Sequence, residues 1–231
     1  MDKPTLILVP GWSSNEILWE HQTKSLADCA HCQVIVMDQE QDRKAMVEKV
    51  LRLAPERFLI AGQSMGGWVA QKVAAAAPER VIKLLLVNTW STPDPKFHAL
   101  KQQVIQALQE GKLEEVIASH MHLILHPEKL KDPYIISKLH EEMVSLKIEI
   151  LCQQLQSMAE DNNSLSLLPQ IKAPTLIIAG RQDKLFSLSE QKTIAQGIKG
   201  AKLAIIEECG HVSPMEQPQA VTALMRLFIE D

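Results

Sequence analysis

The chain of 231 residues is 46% hydrophobic and 23% charged, which is typical of one generous folded domain, or of one domain that carries an insertion. This composition excludes intrinsic disorder, collagen-like repeats and small disulfide-rich folds, and the net charge of −4 provides no basic surface for nucleic acid. No apolar run is long enough to span a membrane, and a short strand-like run takes the place of a signal-peptide core near the start. We therefore expect a cytoplasmic protein without nucleic-acid or membrane partners.

Short runs rich in Val, Ile and Leu alternate with longer segments of helical period. Because strands that are covered on both faces are almost continuously apolar, this alternation predicts the α/β class, with a mostly parallel sheet of about six strands flanked by helices. The predicted strands are residues 5–9, 33–37, 58–61, 84–88, 175–179 and 203–206. The predicted helices between them are residues 15–27, 44–54, 65–77, 189–198 and 214–229.

One long segment, residues 91–168, breaks this alternation. It contains no predicted strand, and it holds seven Lys, no Arg and eleven acidic residues, so the whole net charge of the chain lies in it. We predict an α/β core formed by residues 1–90 and 169–231, and a helical cap, or lid, formed by residues 91–168. The predicted helices of this cap are residues 97–109, 113–126 and 134–159.

The sequence Gly62-Gln63-Ser64-Met65-Gly66 lies directly between a predicted strand and a predicted helix. A G-x-S-x-G sequence in that position is typical of a tight turn that presents its serine at a helix N-terminus, where developing negative charge is stabilised. Glycines are needed around it because side chains there would collide with neighbouring elements. Ser64 is therefore the candidate nucleophile, and the alternative is a packing turn with an incidental serine.

A serine nucleophile needs a base and an acid further along the chain. His211 follows the last predicted strand, at the sheet edge where parallel α/β folds bind ligands, and none of the other histidines occupies such a position. Asp183 follows the preceding strand, and Ser, Asp, His is one of the chain orders in which such triads occur. Asp94 is the alternative acid, and a turn or helix-capping aspartate is the alternative interpretation of Asp183.

Pro10-Gly11-Trp12 follows the first predicted strand. The backbone N–H of Trp12 is expected to face the same space as the N–H of Met65, which makes both groups candidate oxyanion donors. Each such donor contributes about 3 kcal/mol to stabilising a tetrahedral intermediate. Simple core filling is the alternative role for the Trp12 side chain.

Taken in order, these motifs resemble the α/β-hydrolase superfamily over essentially the whole chain, and in particular its small cap-bearing serine hydrolases. That group includes carboxylesterases, carbon–carbon bond hydrolases, enol-lactonases and carrier-protein methyl ester esterases. The resemblance implies Ser64 as nucleophile, Asp183 as acid and His211 as base. It also implies oxyanion donors at Trp12 and Met65, and ester hydrolysis without a cofactor or a metal.

The chain departs from the family pattern at two points near the predicted site. Pro10 stands where the family usually has a histidine, which leaves the following glycine in place. Residues 39–43 run straight into a helix, whereas the family often has a glycine-rich loop there. We therefore expect a more open entrance on that side.

The predicted cap supplies apolar side chains for an acyl-binding pocket, although the same spacing is also typical of ordinary packing. An acidic, arginine-free cap disfavours binding of an acidic carrier protein. We expect a serine esterase that acts on small, uncharged or moderately apolar esters, as a monomer or homodimer. The predicted substrate contacts are Trp12, Trp90, Met121, Leu125 and Met143.

Two other functions stay open at this point. A carbon–carbon bond hydrolase or enol-lactonase would need polar groups in the pocket for an enol or a carboxylate, and an arginine there would indicate one. The cap has none, although Arg181 lies close to Asp183 in the sequence. A non-catalytic ligand receptor on the same fold is the other alternative.

Two further clusters could bind a metal. Cys29 and Cys32 form a C-x-x-C sequence, which we interpret as reduced structural thiols rather than as a redox or metal site. His120, His122 and His126 have a spacing that a metal site could use, but ordinary helix side chains are the favoured interpretation.

Overall fold

The computed structural model describes residues 3–92, 95–161 and 163–231. Over these residues, six strands form one parallel sheet in the order β2-β1-β3-β4-β5-β6, which confirms the predicted α/β class. The strands are β1 (Thr5–Val9), β2 (His31–Val34), β3 (Phe58–Gln63), β4 (Val81–Val87), β5 (Thr175–Gly180) and β6 (Lys202–Ile206).

Helices occupy the connections between strands. They are α1 (Glu20–Ser25), α2 (Arg43–Leu53), α3 (Met65–Ala76), α4 (Pro95–Gln109), α5 (Leu113–Ile124), α6 (Pro133–Val144), α7 (Ile148–Glu160), α8 (Leu188–Gly197), α9 (Ser213–Glu216) and α10 (Pro218–Glu230). Short 3₁₀ helices lie at Glu16–Trp19, Lys129–Lys131 and Leu168–Gln170. None of the described helices is long and apolar enough to cross a bilayer.

The middle strands of the sheet account for the continuous apolar runs. Every residue of β3 and of β5 is buried, because helices cover both faces of the sheet. The edge strands β2 and β6 have mixed burial. Because β3, β4 and β5 are parallel neighbours, their carboxyl ends meet at the centre of one edge of the sheet. Ser64 and Leu185, which follow β3 and β5, line a cavity there.

The second strand lies earlier than predicted, at His31–Val34 instead of residues 33–37. Its pairing with β1 begins at His31, whose N–H donates to the Pro4 carbonyl at 2.9 Å. Ile35 and Met37, on which the prediction depended, are buried but lie beyond the strand. Ile35 still donates its N–H to the Leu8 carbonyl of β1 at 2.9 Å, so the pairing ends there and Met37 is buried without joining the strand.

The long helix predicted at residues 134–159 is two helices, α6 and α7. The first ends at Ser145, whose N–H and hydroxyl both bond to the carbonyl of Glu142. Lys147 then adopts extended backbone angles before α7 begins. The apolar period continues across the break because both helices turn apolar side chains toward the same cavity.

The first and last predicted helices are also interrupted. Residues 15–27 form a 3₁₀ turn followed by the short helix α1. Residues 214–229 divide at Gln217, between α9 and α10, where Pro218 follows. A residue before proline is driven out of helical angles, which accounts for this break.

The segment between β4 and β5 carries helices α4 to α7 and no strand over its described residues. Helix α4 packs against α7, and α5 packs against α4 and α6. Hydrogen bonds tie the segment to the loop after β1, since the Trp12 indole N–H donates to the Leu151 carbonyl at 3.1 Å. Glu142 accepts the N–H groups of Asn15 and Leu18 at 3.0 Å each.

Candidate active site

Ser64 lies at the turn between β3 and α3 with φ 53° and ψ −117°, a strained conformation for a residue with a side chain. Its N–H donates to the Val87 carbonyl at 3.0 Å, and its carbonyl accepts the Thr89 hydroxyl at 2.8 Å. These two bonds to the end of β4 hold the strained turn in place. The side chain lines a cavity at the sheet edge.

The glycines around Ser64 are required by close backbone contacts. A Cβ on Gly62 would overlap the carbonyl of Gly66, and a Cβ on Gly66 would overlap the carbonyl of Val9. A Cβ on Gly11 would overlap the Gln63 side chain and lie 3.3 Å from the Cβ of Ser64. The loop after β1 therefore packs directly against the serine turn.

His211 and Asp183 are joined by a hydrogen bond of 2.9 Å between Nδ1 and Oδ2, and their side chains are 5% and 1% exposed. Since a carboxylate can only accept, Nδ1 carries the proton and Nε2 is left as an acceptor. Asp183 Oδ1 accepts the N–H groups of Leu185 and Phe186, which fixes the carboxylate. The alternative acid, Asp94, lies outside the described residues.

Asn88, at the end of β4, is a residue of this cluster that the sequence analysis missed. Its Nδ2 donates to Asp183 Oδ2 at 2.9 Å and to the Gly210 carbonyl at 3.2 Å, while its Oδ1 accepts the Ser213 hydroxyl at 2.7 Å. Its positive φ of 46° follows directly after an apolar strand. The only sequence signal was an amide side chain at a strand's carboxyl end.

Glu216 is a second residue that was missed. It is fully buried, and its carboxylate accepts the N–H groups of Gly210 at 3.1 Å and Val212 at 2.9 Å, on either side of His211. It also accepts the N–H of His126 at 2.7 Å. Burial raises the pKa of this carboxyl above its usual range. Glu216 therefore shapes the loop that carries His211.

The candidate oxyanion donors have free N–H groups. Within the described residues, neither the Trp12 N–H nor the Met65 N–H donates a hydrogen bond. Met65 is the first residue of α3, where no intrahelical acceptor exists. The Trp12 ring is otherwise engaged, because it packs edge-on against His120 with centroids 5.3 Å apart. The Trp12 side chain is therefore held by packing and a hydrogen bond, while its backbone N–H stays free among the described residues.

Ser64 and His211 line one cavity of about 120 Å³ that is covered by α4 to α7. No hydrogen bond joins the Ser64 hydroxyl to the imidazole among the described residues, and such contacts often tighten only when substrate binds. We call Ser64, Asp183, His211 and their hydrogen-bonded neighbours the cavity floor. We call the face of α4 to α7 that lines the cavity the cavity roof.

Three of the five predicted substrate contacts line the cavity, namely Trp12, Met121 and Met143. Trp90 is not among the lining residues, because it is stacked between the rings of Trp68 and Phe186 and is 1% exposed. Leu125 is not among them either. It follows the end of α5 with an extended backbone, so its side chain leaves the helix face that Met121 shares.

The roof also places on the cavity wall ionisable groups that the sequence did not assign to a substrate pocket. Lys101 is 2% exposed, and burial lowers the pKa of its ammonium to about 7. Glu142 is also buried, and burial raises the pKa of its carboxyl to about 7. For His120, burial and the nearby His211 lower the pKa to about 4. A mostly apolar wall thus carries three ionisable groups whose pKa values burial shifts toward their neutral forms.

Arg181, the cation considered for an enol or carboxylate, lies away from the cavity wall. Its guanidinium forms a surface ion pair with Glu207, and both side chains are substantially exposed. No cluster of three or more metal-ligating side chains occurs in residues 3–92, 95–161 and 163–231. The four cysteines are unpaired, and burial raises the pKa of the Cys32 thiol to about 11.

Comparison with known proteins places this geometry in context. A protein-family model described as alpha/beta hydrolase fold matches residues 44–218, well over half of the chain. The pimeloyl-[acyl-carrier protein] methyl ester esterase of Vibrio parahaemolyticus is 28% identical, over 99% of this chain and 95% of that protein.

Solved structures agree with this match. An esterase from Thermogutta terrifontis aligns with a TM-score of 0.87 and 25% identity, over 100% of this chain and 92% of that one. The enol-lactonase of Burkholderia xenovorans LB400 aligns with a TM-score of 0.89 over 100% of this chain and 93% of that one. At 18% identity, this second likeness shows the fold alone.

Proposed function

Because the chain belongs to the α/β-hydrolase family and is an ester-hydrolysing enzyme, we propose that it cleaves carboxylic esters through Ser64, His211 and Asp183. The observation that carries this proposal is the hydrogen bond from His211 Nδ1 to Asp183 Oδ2, with His211 on the same cavity wall as the strained Ser64. Helices α4 to α7 act as the cap over this site.

In the proposed reaction, Ser64 Oγ attacks the ester carbonyl while His211 Nε2 takes its proton. Asp183 holds the imidazole in the required tautomer and stabilises its positive charge. The N–H groups of Trp12 and Met65, the latter at the N-terminus of α3, stabilise the oxyanion. His211 then protonates the leaving alcohol, and it activates the water that releases the acid from Ser64.

The cavity limits the substrate. A space of about 120 Å³ with mostly apolar walls suits a small acyl group. The sequence indicated uncharged or moderately apolar esters, because the predicted cap offers apolar side chains and is acidic and free of arginine. Lys101 on the cavity wall adds a cation, which favours an anionic ester or a carboxylate-bearing lactone as a second candidate substrate.

The test is labelling by a fluorophosphonate probe together with turnover of short p-nitrophenyl esters. We expect the wild-type protein to do both, and Ser64→Ala to lose labelling and at least about 10⁴-fold in turnover, because the nucleophile is removed. Ser137→Ala, at an exposed position of α6, is the matched control and should retain both. Absence of labelling in the wild-type protein would instead indicate a ligand receptor.

A further inference from the structure

Lys101 is a buried cation without an anionic partner. It lies on α4 and is 2% exposed, and no ion pair involving it occurs among the described residues. Its Nζ donates one hydrogen bond, to the Met158 carbonyl at 2.8 Å. It also lies 3.9 Å from the centroid of the Phe97 ring and 5.3 Å from that of Trp90. Lys101, Phe97 and Met158 all line the cavity that contains Ser64.

Arg43 is a second buried basic side chain, and its partners provide a comparison for those of Lys101. Its guanidinium donates to the Trp68 carbonyl and to the Ser164 hydroxyl, and it forms an ion pair with Asp161 at 3.5 Å. It does not line the cavity. Arg43 therefore has protein acceptors and an anion, whereas Lys101 has a single carbonyl and two aromatic faces.

The chemistry of the ammonium leaves two donors to be filled. An ammonium has three N–H groups, and only one of them has an oxygen acceptor among the described residues. Aromatic faces offset part of the charge but accept no strong hydrogen bond. Burying an unpaired ammonium is costly, so an anion that reached it from the cavity would gain both a charge partner and hydrogen bonds.

The form of that anion follows from the surroundings. One cation in a small, covered, mostly apolar cavity suits a carboxylate, because a phosphate carries more charge and needs more donors. Glu142 and His120 also line the cavity. A carboxyl cannot carry positive charge, and burial lowers the pKa of His120 to about 4, so neither supplies a cation at neutral pH. Of these three side chains, only Lys101 can offer an anion a positive charge, and an anion beside it would favour the protonated form of an amino group whose pKa burial lowers to about 7.

We propose that Lys101 binds a second carboxylate on the substrate, so that the enzyme acts on half-esters of dicarboxylic acids whose ester carbonyl lies at Ser64. This inference rests on the proposed ester hydrolysis. Water cleaves the ester to a dicarboxylate and an alcohol, and the carboxylate at Lys101 takes no part in bond changes. Lys101 determines specificity and does not touch the reacting atoms.

The test compares matched substrates. Mono-p-nitrophenyl esters of dicarboxylic acids from succinate to sebacate are paired with p-nitrophenyl esters of the monocarboxylic acids of equal length. At the best length, we expect the wild-type enzyme to prefer the half-ester by at least about tenfold in kcat/KM. Lys101→Met should reduce this ratio by about tenfold to a hundredfold, while Lys101→Arg should restore part of it.

Lys147→Met is the matched control, because it removes one exposed Lys charge from the same helical segment and should keep the wild-type ratio. An unchanged ratio in Lys101→Met, or a wild-type preference for the neutral esters, overturns the inference. Fluorophosphonate labelling of Ser64 is measured in parallel. Labelling with an unchanged ratio overturns only the role of Lys101, whereas lack of labelling in the wild-type protein overturns the proposed hydrolysis as well.

If circular dichroism shows that Lys101→Met does not fold, the inference is tested by inhibition of the wild-type enzyme. A dicarboxylate such as adipate should then inhibit hydrolysis of a neutral ester at least about tenfold more strongly than hexanoate does. Equal inhibition by the two acids overturns the inference.

Discussion

The cavity floor and the cavity roof satisfy their polar groups in different ways. On the floor, Asp183 accepts four hydrogen bonds, and Glu216 accepts three backbone N–H groups around His211. On the roof, Lys101 has one oxygen acceptor, and Met121 and Met143 supply flexible apolar surface. A saturated network fixes one geometry, whereas an incompletely paired wall retains donors for a ligand.

This difference indicates a division of labour. The proposed reaction depends on the fixed positions of the triad atoms. Those atoms belong to residues at strand ends and in loops that buried carboxylates hold in place. The proposed choice among substrates depends on roof groups, such as Lys101, that keep hydrogen-bond donors without a protein acceptor. Changes on the floor are therefore expected to alter the rate for every substrate, and changes on the roof are expected to alter the choice among substrates.

The largest effect in this comparison is expected from Asp183→Asn. Asn can still accept the N–H groups of Leu185 and Phe186 through Oδ1, so the fold should persist. Its Nδ2 would then face His211 Nδ1 and Asn88 Nδ2, which favours the wrong imidazole tautomer. We expect kcat to fall by about 10⁴-fold, measured with p-nitrophenyl esters.

Asp38→Asn, at an exposed position, is the control for Asp183→Asn and should leave kcat unchanged. Thermal unfolding of both variants shows whether the fold is intact. Activity of Asp183→Asn within tenfold of the wild type would mean that Asp183 is not the acid of the triad.

A smaller effect is expected from Glu216→Gln, which replaces one acceptor oxygen with a donor. That donor would face the N–H groups of Gly210 and His126 and displace the loop that carries His211. We expect kcat to fall by about tenfold to a hundredfold with little change in KM, because the substrate does not touch Glu216. Steady-state kinetics separate the two constants.

Glu207→Gln, which alters a carboxylate exposed at the surface, is the control for Glu216→Gln and should have wild-type kinetics. A rise in KM at constant kcat in Glu216→Gln would contradict the positioning role. A loss of thermal stability alone, with normal kcat, would assign Glu216 to stability only.

The smallest effect concerns stability on the roof. Burial raises the pKa of Glu142 from its ordinary 4.5 to about 7, so the folded protein binds this proton more tightly than the unfolded chain does. The contribution of Glu142 to stability is therefore fully present below about pH 4.5 and is lost as pH rises through about 7. Between pH 4.5 and about 7, the Tm of Glu142→Gln should therefore change less with pH than the Tm of the wild type.

Glu141→Gln, on the neighbouring position of α6, is the control for Glu142→Gln because its carboxyl is exposed. Its Tm should follow the wild-type pH dependence. If Glu142→Gln also follows the wild-type curve between pH 4.5 and 7, the carboxyl of Glu142 is not the group that takes up the proton.

The fold was predictable because it follows local patterns, and the same patterns located the candidate triad residues. The end of a continuous apolar run predicts the carboxyl end of a strand. Ser64, Asp183 and His211 each follow a predicted strand within a few residues. Asn88 and Glu216 were missed because their role lies in contacts with residues that are distant in the sequence or in loop backbone. No pattern in the sequence shows which backbone N–H a buried carboxylate will accept.

The cavity roof was less predictable from the sequence. Helical periodicity identifies the apolar side of a helix, but it does not show whether that side packs against protein or lines a cavity. Met121 and Met143 line the cavity, whereas Leu125, at a helix end, is not among the lining residues. Trp90 lies in an aromatic cluster with Trp68 and Phe186. Lys101 was invisible because charged residues on a helix are usually assigned to solvent.

The hydrogen bond between the Trp12 indole and the Leu151 carbonyl has a mechanical consequence. The Trp12 ring is bonded to α7, and the backbone N–H of the same residue is proposed to donate a hydrogen bond to the oxyanion. Any outward movement of α7 would have to break this hydrogen bond or shift the Trp12 peptide group with it. The position of the proposed oxyanion donor would then depend on whether α7 covers the cavity.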